Sequence, residues 1–263
     1  MKDPIRWTVL AVIMAAVAAS LYFWQHRKVA APQPPSAHKE TPPAPAARPA
    51  PQIQFPLPQV ADSPSLPTLD QSDSTMREGL ASLLGRNIFE QFFQPQNVIR
   101  RIVATVDNLP REKLAARLMP VKAVAGPLLL TGAGENRVIS AQNSARYLPY
   151  VLMAESVDAG RLVAIYVHHY PLFQQAYREL GYPTEYFNDR LVQAIDHLLA
   201  APDIEGPIKL VQRKVLYEFA DPELEARSAG QKILIRIGAG NAARVKAKLR
   251  EIRREVSGQL PKS

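Results

Sequence analysis

The chain contains no cysteine, which removes disulfide frameworks, thiol catalysis, iron–sulfur clusters and cysteine-bound zinc. Histidine is also scarce: five in 263 residues, of which only His168, His169 and His197 lie beyond the N-terminal quarter. No H-E-x-x-H spacing, G-x-S-x-G elbow, P-loop or kinase signature occurs, and no repeat of solenoid period is visible. The commonest catalytic constellations are therefore missing at the level of residue type and spacing.

What the chain has in excess is positive charge and proline. The formal net charge is +8 and the pI about 9.7, a balance that favours anionic partners without choosing among them. Residues 7–24 (WTVLAVIMAAVAASLYFW) carry no charge, with Trp7 at one end and Tyr22, Phe23 and Trp24 at the other. Eighteen apolar residues suffice for a hydrocarbon core of roughly 30 Å at 1.5 Å per residue, and aromatic belts suit its two interfaces. This run is read as a single-pass membrane anchor behind a short cytoplasmic tail (1–6). The rival reading is a signal peptide cleaved near Ala16-Val17-Ala18, opposed by the second aromatic belt and by Arg27-Lys28 after it. The charges flanking the run are nearly balanced; the short leading tail places the rest of the chain outside the cytoplasm.

Residues 32–67 hold half of the 24 prolines, among Ala, Gln and Ser. Such composition cannot bury a core and prefers polyproline II, so residues 25–65 are read as a disordered linker reaching up to roughly 100 Å. A folded domain is expected over 66–256, with 257–263 as a tail.

The domain reads as mostly α (α+β), a single helical unit with one or two small β-hairpins. Its centre is 161–202. Leu162, Ile165, His169, Leu172, Ala176 and Leu180 recur at helical spacing, and Pro171 among them predicts a kink near Val167–His168 or a junction of two helices. Gly181 and Pro183 end that helix; Thr184 as N-cap and Glu185 in the first turn open the next, with Phe187, Leu191, Ala194, Ile195 and Leu198 on its apolar face. So short a connection makes the pair antiparallel, setting His169 near the height of His197. Upstream, Thr75 with Glu78 forms a capping-box pattern and Gly85 a stop, and 98–106 is a helix. Gly132-Ala133-Gly134 and the apolar runs around it predict a hairpin in 127–140; 145–155 is a helix, 207–219 a second hairpin, and 229–237 is ambiguous between strand and helix. The last helix, 241–256, has the seam Ala242, Val245, Leu249, Ile252 and Val256. Arg244, Lys246, Lys248, Arg250, Arg253 and Arg254 cover its other faces, a candidate contact for an anionic surface.

Gly238-Ala239-Gly240-Asn241-Ala242-Ala243 fits G-x-G-x-x-A, but no second strand with an acidic residue follows, so a helix cap explains it better. His169, His197 and Asp196 are weak metal-ligand candidates, because adjacent His168 and His169 diverge on a helix. No catalytic or cofactor-binding residue is assigned and no cofactor is expected.

The runs VDNLPR (106–111), ARYLPYV (145–151), YPLFQQAYRELGYP (170–183), YFNDRL (186–191), DHLLAAP (196–202), QKILIRIG (231–238) and VKAKLREIR (245–253) resemble the domain of unknown function 3014 family, over roughly 66–254. The resemblance implies single-pass envelope proteins of Gram-negative bacteria, with no assigned activity and no site residues. Together these readings predict an inner-membrane-anchored periplasmic binding or scaffold module, whose partner is another envelope protein or peptidoglycan and not nucleic acid. The alternative is an envelope hydrolase or metal-dependent enzyme built on His168, His169 and His197.

Overall fold

A computed structural model describes residues 52–58, 66–213 and 215–258, all within one compact unit of the chain, 50–263. Trp7, Tyr22, Phe23 and Trp24 lie outside the described residues, as does most of the linker. Among the described residues no helix is long and apolar enough to cross a membrane.

A short 3-10 turn, Leu69–Gln71, leads into α1 (Asp73–Leu84). Gly85, at φ 91°, supplies the left-handed backbone that separates α1 from α2 (Arg86–Phe92). Thr75 sits inside the first turn of α1 and bonds the Ser72 carbonyl, so the helix starts earlier than the capping-box pattern predicts. The Asp73 carboxylate instead caps a different helix, accepting the Asn97 and Val98 N–H groups at 2.7 and 2.9 Å. Those amides open α3 (Val98–Asn108), where Asn97 adopts φ 54°.

Two two-residue strands, β1 (Leu130–Thr131) and β2 (Val138–Ile139), pair antiparallel as the expected hairpin. Next come a 3-10 segment (Ala141–Tyr147), α4 (Leu148–Ser156) and α5 (Ala159–Glu179). Asp158 caps α5 by accepting the Arg161 N–H at 2.7 Å. Helix α5 continues through Pro171 as one element, so no helix junction forms there. The proline removes one hydrogen bond, while Tyr166, His169, Leu172, Phe173, Ala176 and Tyr177 stay buried along the helix and hold both halves to the core.

Gly181 (φ 120°) reverses the chain into α6 (Phe187–Leu199), which begins after Tyr186, not after Thr184. Its first turn is capped from outside: the Gln174 side chain accepts the Phe187 N–H at 2.8 Å and donates to the Glu185 carbonyl at 2.7 Å. The second hairpin pairs β3 (Leu210–Val211) with β4 (Glu218–Phe219), and a bridge between Val138 and Lys209 joins the two hairpins. After α7 (Pro222–Glu225) the ambiguous stretch resolves as α8 (Ala229–Arg236), capped by Ser228. Helix α9 (Ala239–Val256) closes the fold across α4, α5 and α6.

The main core lies where α1, α3, α5, α6 and the end of α9 meet. Tyr166, Phe173, Tyr177 and Phe187 form a ring cluster with centroid spacings of 5.1–6.3 Å, packed on Val98, Ile99, Val103, Val192 and Val256. Fully burying each ring contributes on the order of 2–3 kcal/mol. Residues 52–58 belong to this unit too: Phe55 and Leu57 pack against the same core, upstream of the expected start at Leu66.

Candidate binding groove

The N-terminus of α6 carries two polar residues that the fold buries side by side, Asn188 and Asp189, at 1% and 8% exposure. Asn188 uses its whole side chain. Its amide donates to the Val256 carbonyl at 3.0 Å and to the Phe55 carbonyl at 2.8 Å, and its oxygen accepts the Tyr166 hydroxyl at 3.1 Å. Asp189 accepts the Phe55 N–H at 2.8 Å and the Gln54 N–H at 3.1 Å. Those two main-chain amides are its only hydrogen-bond partners among the described residues, and no cation pairs with it there. A buried carboxylate with no cation is destabilising unless donors reach it, so 52–58 completes the site.

The seated segment is suited to that role. Phe55 precedes Pro56 and Leu57 precedes Pro58, which biases both residues to extended backbone before any contact forms. Phe55 and Leu57 are half-buried against the core, while Gln52, Ile53, Gln54, Pro56 and Pro58 face solvent.

Beside the segment a cavity of about 360 Å³ is lined by Gln52, Gln54, Tyr177, Tyr186, Arg190 and Gln193, among others. Asp107, from α3, forms its floor. Its carboxylate accepts Arg190 Nε at 3.1 Å and an Arg111 Nη at 2.7 Å, with the Tyr182 hydroxyl donating at 3.3 Å. Arg190 also donates to the Asp107 carbonyl at 2.6 Å. Tyr182 stacks on Tyr177 at 4.5 Å. Burial raises the Tyr177 hydroxyl well above the usual tyrosine range, and the Glu185 carboxylate it donates to at 3.2 Å adds to that, so the phenol stays protonated.

The histidine and carboxylate candidates do not come together. His169 is buried; its Nδ1 donates to the Ile165 carbonyl at 2.9 Å, and its Nε2 has no hydrogen-bond partner among the described residues. Burial, with His168 beside it, lowers its pKa. Asp196 pairs with Arg253. His197 Nε2 contacts the Ser228 hydroxyl at 2.8 Å in a cavity of about 770 Å³, and burial followed by Arg190 and Arg227 lowers its pKa. Among the described residues no group of three or more His, Asp or Glu has metal-binding spacing.

The basic face of α9 is also largely spoken for. Lys246, expected on the exposed basic face, is instead buried, its ammonium held by the Ala201 carbonyl at 2.7 Å and Asp203 at 2.6 Å, so it is withdrawn from any surface contact. Arg244 pairs with Glu155, Lys248 with Glu251, and Arg253 with Asp196. Arg250 and Arg254 remain exposed, with no ion pair among the described residues. Gly238 stands between two helices and caps α9, so the glycine motif has no strand before it.

Asn188, Asp189, Asp107 and Arg190 were not singled out by sequence reasoning. The signal that existed was Ile53, Phe55 and Leu57, three large apolar residues at alternate positions in a proline-rich stretch.

No curated protein and no solved structure matches the chain. The family model described as protein of unknown function (DUF3014) matches residues 98–253, a span that contains α3, α5, α6 and both buried residues of the groove. With more than half of its length inside that match, the chain belongs to the DUF3014 family.

Proposed function

We propose that this protein is a non-catalytic binding module of the Gram-negative envelope, held in the inner membrane by residues 7–24 with its domain in the periplasm. The observation that carries the binding reading is the Asn188–Asp189 pair, two buried side chains that hold the main chain of a docked segment, Asp189 through two amides and Asn188 through one carbonyl. A catalytic group, by contrast, keeps a donor or acceptor free for substrate. The partner is another envelope protein or peptidoglycan, and the proline-rich linker gives the domain reach from its anchor.

One contact favours the hydrolase alternative: Ser228 beside His197, in the larger cavity. The surroundings argue against it. The Ser228 hydroxyl already accepts the Gln231 N–H as a helix cap. The next two amides, which would have to receive an oxyanion, donate to the Arg111 and Leu109 carbonyls at 2.7 and 2.9 Å.

Reporters active on opposite sides of the membrane, fused after Ser263, test the placement. Activity of the periplasmic reporter is expected. Activity of the cytoplasmic one would overturn the reading and return nucleic acid and anionic lipid as partners.

A further inference from the structure

We infer that the Asn188–Asp189 groove is a receptor for a proline-punctuated peptide of a partner protein, and that 52–58 is an exchangeable occupant supplied in cis. The inference rests on the binding-module reading and names its ligand class: an aromatic and an aliphatic residue two apart, each followed by proline.

Three observations support it. First, recognition is mostly of main chain. Asp189 takes two consecutive N–H groups, which the bend at Gln54 and Phe55 turns to the same side, and Asn188 gives to one C=O, so a segment with that bend presents the same atoms in the same register. Only Phe55 and Leu57 add side-chain contacts. Second, the ligand is pre-organised. Prolines after both anchoring residues remove much of the ordering entropy, the reason polyproline segments recur as ligands. Third, Tyr166, Asn188 and Asp189 all lie within the family-matched stretch, whereas 52–58 precedes it. The receptor side thus belongs to the family-matched domain and the occupant to the stretch before it.

A cis occupant competes with a trans peptide at an effective concentration in the millimolar range, and masks the groove until it is displaced. The test uses the full chain in detergent and a fluorescent peptide of sequence QIQFPLP, read by anisotropy. Phe55→Ala with Leu57→Ala weakens the cis occupant and leaves the groove intact, so labelled peptide binds at least about tenfold more tightly than to the unaltered chain. Adding Asp189→Asn to that variant abolishes most of the gain, and a peptide with both prolines replaced by alanine binds more weakly. No gain from opening the strap, or a gain indifferent to Asp189→Asn, would overturn the inference.

Where a variant loses its far-ultraviolet circular dichroism signal, photo-crosslinking on the unaltered chain decides. A peptide carrying benzoylphenylalanine in place of its phenylalanine is expected to label the α5–α6–α9 surface, and labelling elsewhere overturns the inference. Neither readout depends on membrane topology, so failure of the groove and failure of the periplasmic placement are distinguishable.

Discussion

Asp107 offers the sharpest energetic test of how the groove is held together. Its side chain is 5% exposed and faces two guanidinium groups of unequal burial, Arg190 at 22% and Arg111 at 50%. Asp107→Ala leaves the Arg190 charge largely buried with only the main-chain Asp107 carbonyl as partner. Removing one member of a buried pair typically costs about 3–5 kcal/mol. The residual exposure of Arg190 and its retained carbonyl bond set the expectation near the lower end, about 3 kcal/mol. The Arg111 contribution is exposed and worth about 0–1 kcal/mol, so Arg111→Ala should change stability by less than about 1 kcal/mol. For a domain of this size about 3 kcal/mol lowers Tm by roughly 6–12 °C. Both tryptophans fall at positions 7 and 24, so urea unfolding followed by far-ultraviolet circular dichroism is the suitable assay. A loss below about 1 kcal/mol for Asp107→Ala, or equal losses for the two variants, would refute the assignment of Arg190–Asp107 as the dominant pair.

Other consequences follow from packing and protonation. The pKa values of His169 and His197 are lowered in the folded state, chiefly by burial, so the unfolded chain binds more protons and stability falls as pH drops below about 6.5. Glu155 and Glu179, held below the usual carboxylate range by Arg244 and Arg100, contribute only nearer pH 4.5 and below. Melting curves between pH 7.5 and 5, taken on the chain and on His169→Gln with His197→Gln, should show a flatter slope for the variant; an unchanged slope contradicts the assignment. Two of the glycines near helix starts, Gly230 and Gly160, should respond oppositely to alanine. A Cβ at Gly230 would approach Leu198 Cδ2 to 2.5 Å and the Leu109 carbonyl oxygen to 3.0 Å, so Gly230→Ala should destabilise by about 1–3 kcal/mol. Gly160→Ala meets nothing closer than 3.5 Å in the first turn of α5 and should stabilise by about 0.5–1 kcal/mol, measured in the same urea titrations.

The elements that the sequence disclosed are those whose signal is local. The α5–α6 pair, both hairpins and α9 follow from periodicity, glycine and turn chemistry within a few residues. The start of α6 was misplaced because its cap, Gln174, arrives from another helix, a contact that no local pattern encodes, whereas α3 starts at Val98 as expected although its cap, Asp73, is equally remote. A helix junction at Pro171 was one of the two readings, beside a kink, because local propensity weighs the lost hydrogen bond and not the buried face that offsets it. Lys246 was assigned to a solvated stripe because a partner at Asp203 is invisible to helical periodicity. Trp7, Tyr22, Phe23 and Trp24 lie outside the described residues, so their reading rests on composition alone. The groove was hidden for a related reason: Asn188 and Asp189 look like ordinary first-turn residues until residues more than 130 positions upstream lie over them.

The most direct measurement is amide hydrogen exchange at Gln54 and Phe55 in the full chain, since both N–H groups are assigned to the Asp189 carboxylate. A seated segment predicts exchange slowed at least about tenfold relative to an unstructured peptide, with protection lost in Asp189→Asn. Exchange at the unstructured rate in the unaltered chain would contradict the groove and the function built on it.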